Sequence, residues 1–191
     1  ASEVTINYVI TDEVRHIKMV MVDPNSLATI SVNDPELMIN KPAGLTAATG
    51  MDALTHAIES YITAGAFRLS DTLSLEAIKL IGESLETAVK DGKNIEARSK
   101  MAWASYTAGL SFSNAGLGIV HSMAHQLGSE YNLPHGVANA VLLPHVEEFN
   151  MDACGEKFRD IAKALGTCTK DMTTEEANKA AIQAIKDLSA K

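Results

Sequence analysis

The sequence has 191 residues, of which 46% are apolar and 21% charged, and its 24 acidic and 16 basic residues give a formal net charge of −8. This length supports one large or two small domains with a core that needs no disulfides, and two cysteines cannot form a disulfide framework. The acidic balance without a basic stripe argues against a nucleic-acid partner, and no apolar run is long enough for a membrane-spanning helix. We therefore expect a globular protein of the reducing cytoplasm.

The first forty residues carry runs that are typical of β-strands. Residues 4–10 are rich in β-branched and aromatic side chains, and residues 18–22 and 27–32 form two further apolar runs. Asp23-Pro24-Asn25 predicts a turn between the second and third runs. The sequence thus predicts three short strands before Pro42.

After Pro42 the apolar residues recur at intervals of three and four, which is the spacing of one helix face. A first helix is predicted to end near Thr63, a second to begin at Ser70-Asp71 and a third at Asn94, because these polar side chains can cap a helix. Residues 113–118 contain two glycines and predict a break. Four more helices are predicted over residues 119–131, 136–150, 154–165 and 174–190. The expected fold is mainly α with a short N-terminal β segment.

Four of the six histidines lie in three short stretches of the predicted helical region. Asp52 and His56 are four residues apart, as are His121 and His125, and this spacing places each pair on one helix face. His135 lies where a helix is predicted to start. An isolated Asp–His pair is more often a surface charge pair, and an isolated histidine usually has no ligand. Three histidines and a carboxylate in apolar, small-residue surroundings together predict an Asp/His₃ site for a transition metal.

Other functions suggested by these residues are less well supported. His-x-x-x-His is also the frame of a zinc-protease signature, but Ser122 stands where that signature needs a glutamate base. Residues 113–118 lack the Gly-Lys-Ser/Thr ending of a phosphate loop and follow a helix rather than a strand, so we expect close helix packing there. His16 and His145 are predicted to have no part in the site.

Three motifs, taken in order, resemble the signatures of the iron-dependent alcohol dehydrogenase family. They are Gly-Met-Asp-Ala-Leu-Thr-His-Ala-Ile-Glu at 50–59, Gly-Ile-Val-His-Ser-Met-Ala-His at 118–125 and Pro-His-Gly-Val-Ala-Asn at 134–139. The resemblance implies a fold of the dehydroquinate synthase-like, iron alcohol dehydrogenase type. It further implies that residues 1–40 are a remnant of an NAD-binding α/β domain and that residues 41–191 are an incomplete helical metal-binding domain. We therefore expect an internal fragment of a longer protein, one that binds NAD poorly by itself.

The same resemblance implies roles for individual residues. The implied metal ligands are Asp52, His56, His121 and His135. His125 matches a family histidine near the substrate and the nicotinamide, where it would relay a proton. Thr5 and Lys18 match positions close to the cofactor. The implied cofactors are Fe(II), with Zn(II) as the alternative, and NAD.

The activity implied is hydride transfer between NAD(H) and a short alcohol or aldehyde, with lactaldehyde and 1,2-propanediol as the expected pair. Oxidation of 1,3-propanediol or of other primary alcohols is an alternative. A metal-bearing helical module without catalysis is another, as is a related metal enzyme such as a glycerol dehydrogenase or a dehydroquinate-synthase-like lyase, which the full set of Asp and three His disfavours. The expected partners are a small substrate and a second copy in a homodimer, with neither nucleic acid nor membrane.

Overall fold

The computed structural model describes residues 1–191 and shows two antiparallel strands followed by seven α-helices. The strands are β1 (Asn7–Asp12) and β2 (Ile17–Val22), and the helices are α1 (Ala43–Ile62), α2 (Arg68–Lys90), α3 (Ile95–Ala115), α4 (Ile119–Glu130), α5 (His135–Asn150), α6 (Lys157–Ala164) and α7 (Thr174–Ser189). The predicted fold class, mainly α with a short N-terminal β segment, is confirmed. None of the helices combines the length and the apolar character that crossing a membrane requires.

The N-terminal β segment is a single hairpin. Asn7 pairs with Val22, and the turn is held by two backbone N–H groups that donate to Asp12 Oδ1. The third predicted strand, residues 27–32, is wrong: these residues form no regular element. A β-branched run becomes a strand only where a neighbouring backbone completes its hydrogen bonds, and the sheet of β1 and β2 has no third strand that pairs with this run.

Helix α1 lies at the centre of the helical domain and packs against α2, α3 and α5. Its apolar side chains Leu54 and Ile58 are fully buried. At its N-terminal half, Gly136 of α5 approaches the α1 backbone so closely that a Cβ on this residue would lie 2.2 Å from the carbonyl oxygen of Ala48. The absence of a side chain at Gly136 therefore lets the start of α5 reach α1, and His135 is carried with it.

A ring of three buried serines joins the first three helices. The hydroxyl of Ser60 lies 2.7 Å from that of Ser74 and 2.9 Å from that of Ser111, and the last two are 2.8 Å apart. Ser60 donates to Ser111, which in turn can donate to the carbonyl of Ser70 at 3.0 Å, so burial leaves none of the three hydroxyls without a partner. The small serine side chains allow the three helices to cross closely at this point.

The predicted cap of α2 lies three residues after the observed cap, Phe67, whereas α7 begins at the predicted residue, Thr174. The predicted cap Ser70 is the third residue of α2, where its hydroxyl accepts the backbone N–H of Phe67 at 2.9 Å. The cap of α7 is Thr173, and its N–H donates to Glu176 Oε2 at 2.7 Å. In both helices a side chain accepts the backbone N–H of the residue three positions earlier. Several polar residues near a helix start can make such a bond, so the sequence does not determine which of them is the cap.

Candidate metal centre

Three helices direct one carboxylate and four imidazoles toward a common cavity of about 720 Å³. Helix α1 supplies Asp52 and His56, α4 supplies His121 and His125, and α5 supplies His135. The i,i+4 spacing predicted from the sequence holds for both pairs, because each lies on an unbroken helix. The structure thus brings together all five residues that the sequence singled out here.

Asp52 is the centre of this group. Its Oδ1 lies 3.6 Å from His121 Nε2 and 3.4 Å from His135 Nε2, and its Oδ2 lies 3.9 Å from His56 Nδ1. The candidate ligand atoms of Asp52, His56 and His121 all lie within 4.8 Å of one another. The rings of His56 and His121 stack with their centroids 4.4 Å apart. Distances of this size leave room for a single ion among these groups.

The donor set fits a transition metal. His56 Nδ1 is buried and has no hydrogen-bond partner, although a buried polar atom without a partner is costly. Imidazole nitrogens and a carboxylate oxygen suit Fe(II) and Zn(II) alike. A cation among Asp52, His56, His121 and His135 would give Nδ1 of His56 a partner and offset the charge of the Asp52 carboxylate.

The charges in the group are strongly coupled. Burial raises the pKa of Asp52, but its contact with His121 and the positive charge of the neighbouring histidines hold this pKa well below its usual range. Burial lowers the pKa of His56 to about 3, against the attraction of Asp52. Burial also disfavours charge on His121, yet its contacts with Asp52 and Glu59 raise this pKa to about 9. His121 is therefore the one histidine of this group that the protein environment favours as a cation.

His125 differs from the others in its surroundings. It is half-buried, it lines the cavity, and its ring stacks on that of His135 with the centroids 5.1 Å apart. Burial, together with the nearby charges of His135 and His121, lowers the pKa of His125 to about 4. At neutral pH the side chain is thus an uncharged imidazole at the cavity wall, which can accept a proton.

The two residues predicted to lie near the cofactor border the same region. Thr5 lines the cavity, and its hydroxyl donates to the carbonyl of Asn7 at 2.9 Å. Lys18 lies against α4, where its Nζ occupies the space that a side chain at Gly128 would fill. Their roles toward a cofactor stay predictions. Ser122 is exposed and donates to the carbonyl of Gly118, away from the cavity.

Two residues of the site were not recognised from the sequence. Asn139 is fully buried, and its Nδ2 lies 2.6 Å from Asp52 Oδ1 and 3.2 Å from His135 Nε2. Glu59 is also fully buried, and its Oε2 lies 2.5 Å from His121 Nδ1. A signal was present for each, because Glu59 is seven residues from Asp52 and Asn139 is four from His135. Both spacings place the residue on the same helix face as a candidate ligand.

Comparison with known proteins agrees with this geometry. Residues 46–191 match the family model described as Fe-containing alcohol dehydrogenase family, C-terminal. The chain is 52% identical over 185 residues to lactaldehyde reductase of Escherichia coli (strain K12), which covers 97% of this chain and 48% of that protein. It is 50% identical over 184 residues to NAD-dependent methanol dehydrogenase of Bacillus methanolicus, which covers 96% of this chain and 48% of that protein.

The fold is likewise shared with solved structures. The crystal structure of 1,3-propanediol oxidoreductase superposes with a TM-score of 0.97 at 53% sequence identity, over 100% of this chain and 50% of that one. The chain spans about half the length of the relatives that it matches. The family match covers the three helices that carry the five clustered residues. This chain therefore belongs to the iron-containing alcohol dehydrogenase family.

Proposed function

We propose that the full-length protein is a metal-dependent oxidoreductase that transfers a hydride between NAD(H) and a short alcohol or aldehyde. The observation that carries this proposal is the arrangement of one carboxylate and three imidazoles, from three helices, around one point of the cavity. Family membership supports the same activity. The proposed metal ligands are Asp52, His56, His121 and His135.

Fe(II) is the proposed ion, since the family is described as iron-containing, and Zn(II) is the alternative that the same donors would accept. When bound, the divalent ion supplies Lewis-acid polarisation of an alcohol or carbonyl oxygen. NAD supplies the hydride chemistry, which belongs to the cofactor itself. The residues of the chain would hold the ion and the cofactor and shape the cavity between them.

The other residues at the cavity have distinct proposed tasks. His125, at the cavity wall beside His135, would take up or release the proton of the substrate oxygen. Phe112 stacks on His56 with the ring centroids 4.5 Å apart, and Leu117 also lines the cavity. These apolar groups would restrict water at the reacting oxygen. Thr5 and Lys18 would lie on the cofactor side.

The substrate is proposed to be a short alcohol or aldehyde, most specifically the pair lactaldehyde and 1,2-propanediol. The names of the relatives support the size class, since lactaldehyde, 1,3-propanediol and methanol are all small. Residues 3–12 and 116–145 resemble the corresponding segments of lactaldehyde reductase, which supports the first pair. The full-length protein is proposed to act as a homodimer.

Metal analysis and NADH oxidation by the full-length protein test the proposal. We expect about one iron ion per chain and a higher kcat/KM for lactaldehyde than for 3-hydroxypropanal or formaldehyde. A higher kcat/KM for 3-hydroxypropanal would move the substrate assignment to 1,3-propanediol. A protein that holds neither iron nor zinc and oxidises no NADH with any of these aldehydes would overturn the proposed function.

A further inference from the structure

Glu59 joins the proposed metal site to the start of a helix. Its carboxylate extends from α1 to the N-terminus of α4, where Oε1 accepts the backbone N–H of Val120 at 2.7 Å. The other oxygen, Oε2, lies 3.4 Å from the backbone N of His121 and 2.5 Å from Nδ1 of the same residue. The side chain is fully buried, so these three contacts replace its hydration. A buried carboxylate is retained only where donors are arranged around it in this way.

The sequence of α4 leaves this position open for Glu59. The residue before the helix is Gly118, which has no side chain that could cap the first amides. A Cβ at Gly118 would lie 2.8 Å from Glu59 Oε1, so the glycine makes the approach of the carboxylate possible. The partial positive charge of the helix N-terminus further favours an anion here. Glu59 thus caps α4 from a different helix.

The contact with Nδ1 determines how His121 faces the proposed metal. When the carboxylate accepts the hydrogen bond, the proton is on Nδ1, and Nε2 is then the nitrogen that can bind an ion. Nε2 is the atom that faces Asp52, at 3.6 Å from Oδ1. A carboxylate behind a histidine ligand commonly fixes the tautomer and the ring orientation and increases the basicity of the ligating nitrogen.

We infer that Glu59 is a positioning residue for the metal site: it holds His121 in the orientation and tautomer that present Nε2 to the ion. The inference rests on the proposed function, since it needs His121 to be a ligand. Because one carboxylate binds both the ring and the first amides of α4, the beginning of α4 and the orientation of its ligand are fixed together.

Glu59→Gln in the full-length protein tests this role. Glutamine keeps the size but brings an N–H group toward the N–H donors of Val120 and His121. Co(II) affinity is measured by competition with a chelator, and the visible absorption of the Co(II) form is recorded. We expect the Co(II) Kd to rise about 10- to 100-fold and the absorption spectrum to change. The matched control is Glu147→Gln, which replaces another fully buried glutamate, one that accepts a hydrogen bond from Asn150; its Kd should stay within about twofold.

A second measurement needs no variant. In the zinc-loaded wild-type protein, two-bond ¹H–¹⁵N correlation spectra should show His121 coordinated through Nε2 with Nδ1 protonated. Coordination through Nδ1 would overturn the inference, and so would a folded Glu59→Gln protein that binds Co(II) with the wild-type Kd and spectrum. A wild-type protein that binds no metal would overturn the proposed function together with the inference. A loaded wild-type protein and an equally loaded Glu59→Gln protein would overturn the inference alone.

Discussion

Asn139 donates a hydrogen bond to Asp52 across 2.6 Å and thereby links α5 to α1 at the candidate metal centre. The amide nitrogen of Asn139 also lies 3.3 Å from His121 Nε2 and 3.2 Å from His135 Nε2. It therefore stands at the meeting point of three proposed ligands. Among these neighbours it is the neutral donor to the partly buried carboxylate.

Asn139→Ala should destabilise the metal-free protein by about 1.5–3 kcal/mol, because a hydrogen bond to a charged, partly buried group is lost. Urea unfolding followed by circular dichroism measures the change. The control is Asn114→Ala, since Asn114 is exposed and bonds within its own helix to the carbonyl of Leu110. Its effect should stay within about 0.5 kcal/mol. Equal effects of the two substitutions would show that the Asn139–Asp52 bond does not stabilise the fold.

His121→Ala and His125→Ala should separate a ligand from its neighbour. The two histidines lie one turn apart on α4, but only the first has its Nε2 beside Asp52. Metal content of the purified full-length protein should fall to a small fraction of an ion per chain in His121→Ala and stay near that of the wild type in His125→Ala. His125→Ala should instead lower kcat. Retention of metal by His121→Ala would exclude His121 as a ligand.

Gly136→Ala should weaken both the fold and metal binding. The new Cβ would meet the backbone of Ala48 at 2.2 Å, and backbone cannot rotate away as a side chain can. The start of α5, with His135, must then move away from α1, at a cost of about 1–3 kcal/mol in unfolding free energy. We also expect a higher Co(II) Kd.

The matched control for this substitution is Gly44→Ala in α1. No atom lies within 4 Å of the position of its Cβ, and alanine favours a helix over glycine by up to about 1 kcal/mol. Its unfolding free energy should be unchanged or slightly higher, with an unchanged Co(II) Kd. Similar losses in both variants would show that the close approach at Gly136 has no special role.

Glu147 should make stability fall as the pH rises. Its side chain is fully buried with Oε1 unpartnered, and burial is the main cause that raises its pKa from 4.5 to about 8. The folded state therefore holds a proton that the unfolded chain releases above pH 4.5, so the loss of stability begins near pH 4.5 and is complete above pH 8. Between pH 5.5 and 8.5 this group alone should remove about 3 kcal/mol, an order-of-magnitude value at about 1.4 kcal/mol per pKa unit.

Glu147→Gln has no such proton to release. Urea unfolding of wild type and Glu147→Gln at pH 5.5 and 8.5 isolates the contribution of Glu147, because the other titrating groups are common to both proteins. The stability advantage of the variant should grow as the pH rises. Parallel pH profiles for the two proteins would mean that Glu147 keeps an ordinary pKa in the folded state.

Helices were the part of the fold most accessible to prediction. The three- and four-residue periodicity that begins after Pro42 is a local property, since the hydrogen bonds of a helix join residues four apart. Residues 27–32 show the opposite case: their β-branched side chains predicted a strand, but a strand needs a partner from elsewhere in the chain. The hairpin of β1 and β2 formed because its two runs are joined by a short turn.

The sequence by itself determined which side chains share a helix face. The spacing of four places Asp52 with His56 and His121 with His125, and family motifs name the same residues. The sequence did not determine which helix faces pack against one another. The bonds of Asp52 to Asn139 and of His121 to Glu59 join residues 87 and 62 positions apart. Such contacts arise only when the helices pack, because close approach at Gly118 and Gly136 depends on the whole core rather than on local sequence.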